Sequence, residues 1–209
     1  MKVELLEQPT ERDWLEVKRR ALVTIGKKPV TAPTEEWKHK ILKARHSPIR
    51  RLWFSFYIEC PYWVSVHLCR HIHAQPFVKS QRNDRQNDYD RNSAPQDATV
   101  CMIWDVNAEE LMVIANKRLC IQASKETRDV VKEMCRLVLA EYPEFKGLLV
   151  PMCQHQGNTC HEMNPCTVQG VIIWHKKKND ANIVVRKYQE GQCVVIALRN
   201  LKEYALLKL

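Results

Sequence analysis

Apolar and polar positions along this chain follow two different periods, which predict a mixture of strands and helices. Aromatic and β-branched residues predict strands at 2–6 and at 52–59, the latter reading LWFSFYIE. Thr34 and Ser124 are suited to cap two helices, and Pro61 is suited to begin another. Apolar residues at helical spacing place the predicted helices at 13–23, 35–45, 62–72, 107–119 and 125–142.

One internal segment lacks this periodicity. Residues 79–95, KSQRNDRQNDYDRNSAP, are almost entirely polar, which predicts a mobile loop. The segment is longer than a simple connection needs, and long ordered loops usually carry a function.

The C-terminal part of the chain has a different residue pattern. Three β-rich pieces at 171–174, 182–188 and 193–200 are separated by polar turns, which predicts a small antiparallel meander, with a short helix at 201–207. We therefore divide the chain into a main domain, residues 1–167, and a basic β-rich extension, residues 168–209.

Composition and charge narrow the class of protein. Lys and Arg number 33 against 24 Asp and Glu, a net charge of +9, and the extension holds eight of these cations against three acids. Such a balance favours anionic partners, although a solvated accessory sheet is the preferred interpretation of the extension and nucleic acid is not the expected partner. No apolar run approaches the roughly 18 residues of a membrane span, and the N-terminus does not resemble a signal peptide, so we expect a soluble cytoplasmic protein.

The first candidate constellation begins where the predicted helix at 62–72 ends. Arg70 and His71 lie there, and Ser80, Gln81 and Arg82 follow in the polar loop. A hydroxyl and a planar guanidinium are the groups that bind a phosphate or a uracil-like ring. The alternative is that Arg70 and His71 only complement the C-terminus of the helix.

The second constellation spans the helix predicted at 107–119. Positions 107, 111, 114 and 118 lie on one face, so Asn107 and Arg118 would flank an apolar stripe of Leu111 and Ile114, about 16 Å apart. That span suits an elongated ligand such as a dinucleotide. The alternative is a core-facing helix that ends in an arginine.

A third group of residues could hold a metal. Cys153, Cys160 and Cys166 are interleaved with His155 and His161, and thiolate and imidazole ligands suit zinc. The spacing matches no zinc knuckle, so buried or free thiols are the preferred interpretation and the weak candidate set is Cys153, Cys160, His161 and Cys166.

Taken together, the first two constellations resemble the flavin-dependent thymidylate synthases (the ThyX family). The spacing R-H-x-x7-S is similar to the family's R-H-R-x7-S signature, and WDVNAEELMVIANKR at 104–118 resembles the family's helix W-x-V-N-A-x-x-L-x-x-x-x-N-x-R. ASKETR at 123–128 stands where the family has A-Q-x-E-I-R. The three motifs occur in register within residues 1–150.

The resemblance implies an α/β (α+β) fold with a central sheet flanked by helices, a homotetramer, and FAD and dUMP bound where subunits meet. It implies methylation of dUMP to dTMP, with NADPH and methylenetetrahydrofolate as co-substrates. Arg118 would favour the ionised pyrimidine and so activate C5. The residues carried over by position are His67, Arg70, Ser80, Gln81, Arg82 and Arg118 for dUMP, and Arg70, His71 and Asn107 for FAD.

The chain departs from the family's pattern at several positions. Ile72 replaces the second arginine of the triplet, Val78 stands where a glutamate is usual, Arg51 replaces a histidine, and Cys101 stands near the place of another arginine. These departures leave three hypotheses open: a thymidylate synthase, a variant such as a pyrimidine C5 hydroxymethylase, or a non-catalytic relative that binds nucleotide or nucleic acid.

Overall fold

The computed structural model describes residues 1–28, 31–85, 89–157 and 160–163, together with the backbone of three C-terminal strands. Within this part, an antiparallel four-stranded sheet is flanked by helices. The predicted fold class is therefore confirmed. No helix of the described residues is long and apolar enough to cross a membrane.

The four-stranded sheet carries both of the elements from which the candidate site extends. Its strands are β1 (Lys2–Glu7), β2 (Trp53–Pro61), β3 (Gln75–Val78) and β4 (Thr99–Asn107). Neighbouring strands are antiparallel, and their order across the sheet is β1-β2-β4-β3. Strand β3 contains Pro76, which an edge strand tolerates because one side of it needs no ladder hydrogen bonds.

The central ladder between β2 and β4 forms the core of the sheet. Alternate residues of both strands point to one face, and there they pair directly and are buried. The buried pairs are Phe54 with Val106, Phe56 with Trp104, Ile58 with Met102, and Cys60 with Val100. The sequence analysis predicted β2 but not β3 or β4, although the alternation in β4 is a strand signal.

Helices cover the buried face of the sheet and connect its strands. They are α1 (Glu11–Val23), α2 (Glu35–Lys43), α3 (Tyr62–Cys69), α4 (Ala108–Arg118), α5 (Lys125–Glu141) and α6 (Met152–His155), with short 3-10 helices at Ser47–Arg51, Asn83–Arg85 and Pro143–Phe145. The predicted caps are confirmed: Thr34 accepts a hydrogen bond from the Trp37 N–H at 3.3 Å, and Ser124 from the Thr127 N–H at 3.4 Å.

Helix α3 ends three residues earlier than predicted. Arg70 is its C-cap residue, and the His71 N–H bonds the Leu68 carbonyl at 3.0 Å, which tightens the last turn. A second turn closes between Ala74 N–H and the His71 carbonyl at 3.1 Å, and the chain then enters β3. The chain therefore reverses direction directly after Arg70 and His71.

The polar segment at 79–95 contains no regular strand or α-helix in its described residues, 79–85 and 89–95. The side chain of Asn83 accepts a hydrogen bond from the Arg91 N–H at 3.1 Å, which connects the two ends of the segment. A 3-10 turn at Asn83–Arg85 lies within it.

The C-terminal strands are β5 (Ile172–Ile173), β6 (Ile183–Gln189) and β7 (Gln192–Leu198). They pair antiparallel in the order β5-β6-β7, so the predicted meander is confirmed for the backbone. The predicted helix at 201–207 lies outside the described residues, and the division into domains at 167/168 stays a prediction.

Candidate active site

The site forms where the C-terminal ends of two helices meet. Helix α3 supplies His67 and, just past its end, Arg70 and His71. Helix α4 follows directly on the central strand β4 and supplies Arg118 as its last residue. The strand order contributes to this arrangement. Because β4 lies beside β3, the start of α4 lies next to the turn that follows α3.

Arg118 is anchored to α3 by two hydrogen bonds. Its Nε donates to His71 Nε2 at 3.0 Å, and its Nη2 donates to the His67 carbonyl at 3.0 Å. The His67 carbonyl belongs to the last turn of α3, whose carbonyls have no partner within the helix and carry partial negative charge. These two bonds fix the guanidinium through Nε and Nη2, and neither of them uses the N–H groups of Nη1.

His71 continues this network to a buried carboxylate. Its Nδ1 lies 3.2 Å from Oε1 of Glu110, and both side chains are nearly buried, with 9% and 6% of their surface exposed. The imidazole also lies against the indole of Trp104, with ring centroids 6.2 Å apart. Glu110, His71 and Arg118 therefore form one continuous hydrogen-bonded chain.

Arg70 brings a second cation to the same place. Burial lowers the pKa of Arg118, and the positive charge of Arg70 lowers it further, so the two guanidiniums are close enough to repel each other. Arg70 is exposed, and no ion pair to it is found among the described residues. The two arginines that the sequence analysis placed in the site are thus brought together.

His67 lies beside them and is held by the start of α5. Its Nδ1 is 3.4 Å from the Thr127 hydroxyl, which in turn accepts a hydrogen bond from Ser124 at 2.8 Å. The Trp63 ring packs edge-on against the imidazole at 5.4 Å. The ASKETR segment therefore contributes to the site indirectly, through residues that orient His67.

Asn107 has a structural role that the sequence analysis did not give it. It is the N-cap of α4, and its side-chain oxygen accepts a hydrogen bond from the Glu110 N–H at 3.0 Å. Leu111 and Ile114 are fully buried, so the stripe between Asn107 and Arg118 is core, and the expectation of an elongated ligand along this face is wrong. Only the carboxamide nitrogen of Asn107 is left by the cap for a ligand.

A cavity of about 320 Å³ lies beside Asn107. His73, Glu109 and Glu110 also line it, and Arg50 is paired with Glu109. Because it presents two carboxylates, the cavity suits a neutral, hydrogen-bonding part of a ligand better than a pyrophosphate.

The predicted phosphate cradle follows β3 along the chain, whereas Arg70 and His71 precede that strand. Ser80 and Arg82 are exposed, and the Ser80 hydroxyl accepts a hydrogen bond from the Arg82 N–H at 3.3 Å. The Arg82 guanidinium donates two hydrogen bonds to the Asp84 carboxylate, from Nε to Oδ1 at 2.9 Å and from Nη2 to Oδ2 at 2.6 Å. Among the described residues, no hydrogen bond or ion pair joins Ser80, Gln81 or Arg82 to Arg70 or Arg118.

The departures from the family pattern occupy distinct environments. Ile72 is 83% exposed beside His71, and Arg51 pairs with Asp13 at 3.1 Å on another part of the surface. Val78 and Cys101 are both partly buried. Cys101 lies on β4 in direct register with Glu59.

The cysteine cluster forms no metal site in the part of the chain that is described, where no group of three or more His, Cys, Asp or Glu side chains could hold an ion. Cys153, Cys160 and His161 line a cavity of about 210 Å³, and Cys120 lines it as well. Cys166, the fourth candidate ligand, lies outside the described residues, so the candidate set with it stays a prediction.

Two polar residues of α4 were missed by the sequence analysis. Glu110 is buried and pairs with His71, and Asn116 is buried, donating to the Val150 carbonyl at 2.7 Å and accepting from Arg45. Glu110 lies four residues before the buried Ile114, on the same face of α4. A carboxylate on an apolar face was the signal that could have identified it.

Part of the chain is similar in sequence to a known protein family. Residues 84–144 match the family model described as thymidylate synthase complementing protein. The matched segment includes Asn107 and Arg118 and begins after Arg82. A comparison with curated protein sequences finds no match to the chain.

A solved structure of similar fold is thymidylate synthase X from Helicobacter pylori, crystallised with FAD and dUMP. The similarity covers 71% of this chain and 99% of that one, with a TM-score of 0.57 and 15% sequence identity. The family model matches less than a third of the chain, and the structural similarity shows a ThyX-like fold. The motif resemblance in the sequence points to the same family, and low identity to the ThyX structure agrees with the departures noted above.

Proposed function

We propose that this ThyX-like protein binds dUMP and FAD next to the junction of α3 and α4 and methylates dUMP to dTMP. The observation that carries the proposal is the convergence of Arg70 and Arg118 at that junction. Two neighbouring guanidiniums repel each other, and an anion placed between them turns this repulsion into attraction. The phosphate or the ionised pyrimidine of dUMP is an anion of the required kind.

Arg118 is the proposed catalytic residue. A guanidinium held by His71 and the His67 carbonyl is preorganised, so it can stabilise negative charge on a uracil ring without reorganising during the reaction. Its fork also matches two acceptors in one plane, which a lysine ammonium does not. Stabilising the ionised pyrimidine raises the nucleophilicity of C5, the atom that accepts the one-carbon unit.

The donor set at the site also fits a flavin. His71 and Arg70 flank one side, and the Asn107 carboxamide nitrogen borders the adjacent cavity. Bound FAD would supply the hydride that takes the transferred one-carbon unit to a methyl group, with NADPH as its reductant and methylenetetrahydrofolate as the carbon donor. This division of labour explains why few protonatable side chains are needed near Arg118.

A homotetramer would complete the site. Ser80, Gln81 and Arg82 form the proposed phosphate cradle, yet no hydrogen bond or ion pair joins them to Arg118 among the described residues. We infer that the cradle of one subunit meets the arginine pair of another. An open, partly apolar face of the sheet supports such assembly: Tyr57, Ile103 and Phe77 lie in one row across β2, β4 and β3, with Ile103 39% and Phe77 60% exposed.

The proposal is tested by assaying the full-length protein with FAD, NADPH, methylenetetrahydrofolate and dUMP. We expect a yellow protein, dTMP by mass spectrometry, and dUMP-dependent oxidation of the reduced flavin. Arg118→Ala and Arg118→Lys should both lower turnover by roughly 100-fold or more, since losing one preorganised donor to a developing anion has that effect.

Arg136→Ala is the matched control, because Arg136 is an exposed arginine of α5 whose partner among the described residues is its own helix neighbour Glu133. It should leave turnover unchanged. Normal turnover in Arg118→Ala, with folding intact, would contradict the role given to Arg118.

A second candidate is a nucleotide-binding relative that has no turnover. The exposed Ile72 favours it, because an apolar side chain stands beside His71 where the family pattern has a cation for the flavin site. A colourless protein that binds dUMP or oligonucleotides in a salt-sensitive manner would support this candidate over the enzyme. A hydroxymethylated pyrimidine in the same assay would identify the C5 hydroxymethylase variant.

A further inference from the structure

Glu110 stands out as a buried carboxylate on the core-facing side of α4. Its neighbours on that side, Leu111 and Ile114, are fully buried. Burying a carboxylate is costly unless it is paired, and the described partner of its side chain is His71 Nδ1 at 3.2 Å. The residue therefore needs an explanation that packing alone does not supply.

The hydrogen bonds fix where the proton of His71 lies. The Arg118 guanidinium is always protonated and can only donate, so His71 Nε2 must accept the bond from Arg118 Nε at 3.0 Å. A neutral imidazole that accepts at Nε2 carries its proton at Nδ1, where it donates to the Glu110 carboxylate. Without that carboxylate, only the contact with Arg118 would favour the Nδ1–H form, and the nearly buried Nδ1 proton would lose its acceptor.

The tautomer in turn decides how Arg118 is held. In the Nε2–H form, His71 and Arg118 would present two donors to each other, and the guanidinium would lose one of its two anchors. The remaining hydrogen bond, from Arg118 Nη2 to the His67 carbonyl at 3.0 Å, fixes the position of one nitrogen but not the plane of the guanidinium.

We propose that Glu110 is a positioning residue that sets the orientation of the Arg118 guanidinium through the tautomer of His71. The inference deepens the proposed function, on which it rests for the identity of the ligand. Its effect on Arg118 is transmitted by the imidazole of His71, which bonds both side chains.

The first measurement needs no ligand. NMR of the imidazole nitrogens in isotope-labelled protein reports the tautomer of each histidine, and His71→Asn identifies the His71 signals. We expect the Nδ1–H form in the native protein and in Glu110→Gln, whose amide oxygen still accepts. Glu110→Ala should show the other tautomer or a mixture. Glu109→Ala is the control, because this neighbouring carboxylate pairs with Arg50 instead.

The second measurement is dUMP affinity of the flavin-loaded protein. Glu110→Ala should weaken binding roughly tenfold, as expected when a buried donor loses its partner, while Glu110→Gln should stay within about threefold of the native value. In an Arg118→Lys background, which keeps the cation but not the fork, the effect of Glu110→Ala should largely vanish.

The outcomes separate the two proposals. An Nε2–H form in the native protein, or an undiminished effect of Glu110→Ala in the Arg118→Lys background, would overturn the positioning role. The Nδ1–H form without any dUMP binding would refute the proposed function and leave the hydrogen-bonded relay from Glu110 to Arg118 intact.

Discussion

At the scale of single residues, the site is governed by charge placed at two helix ends. Arg118 supports the C-terminus of α3 through the His67 carbonyl and at the same time faces the cation of Arg70. Two like charges held together without a bound anion weaken the folded state. Binding of the proposed anionic ligand would relieve this repulsion.

Ile72 gives a direct test of how complete the flavin site is. It is 83% exposed, so an arginine there would meet no packing barrier. We expect Ile72→Arg to tighten FAD binding, because it adds a cation beside His71 that can pair with an anionic group of the cofactor. Flavin fluorescence titration measures the dissociation constant.

Ile72→Gln serves as its control, since it adds a polar side chain without charge and should leave FAD affinity nearly unchanged. Equal affinity of Ile72→Arg and the native protein would mean that the cofactor pocket is built differently here.

At the scale of elements, the site depends on strand β4. This strand is an inner strand of the sheet and continues directly into α4 at Asn107. It therefore determines where α4, which carries Glu110 and Arg118, begins and which way it runs. Its buried face, which includes Met102 and Trp104, packs against the matching face of β2. Loss of packing in β4 therefore affects the fold and the site together.

Met102→Ala tests this dependence. Met102 is 2% exposed, and truncating a buried methionine to alanine costs about 2–5 kcal/mol of unfolding free energy. Met163→Ala makes the same chemical change at a side chain that is 97% exposed, and it should change stability by no more than about 0.5 kcal/mol. Chemical denaturation of both variants gives the difference, and equal stabilities would mean that β4 is not part of the core.

At the scale of the whole molecule, assembly and function are expected to be linked. Among the described residues, no hydrogen bond or ion pair joins Ser80, Gln81 or Arg82 to the arginine pair, and the open sheet face offers partly apolar surface around Phe77 and Ile103. Contact between subunits would cover this face and bring the cradle to the arginines. The net charge of +9 would then act on the anionic ligand from more than one subunit.

Phe77→Asp tests that link. A charge on the open sheet face should prevent its burial, so the particle mass from light scattering should fall and dUMP binding should be lost with it. Ile25→Asp is the matched control, because Ile25 is 62% exposed just past the end of α1. If Phe77→Asp keeps the native mass and binding, this face does not form the subunit contact.

Elements with a local pattern could be predicted from the amino-acid sequence. Strand β2, helices α1 to α5 and the caps Thr34 and Ser124 could be predicted because apolar periodicity and capping chemistry act within a few residues. The motif spacing was also sufficient to indicate the ThyX family. Strand β4 carried the same kind of signal and was missed.

The grouping of the candidate residues in space could not be predicted and became visible in the folded chain. The convergence of Arg70 with Arg118, the capping role of Asn107, and the pairing of His71 with Glu110 across 39 positions of sequence depend on the order β1-β2-β4-β3. Strand order and helix docking arise from contacts between distant segments, for which a single sequence contains no local pattern. Burial follows from the same contacts, so the partner of Glu110 becomes evident only when α4 is packed against the sheet.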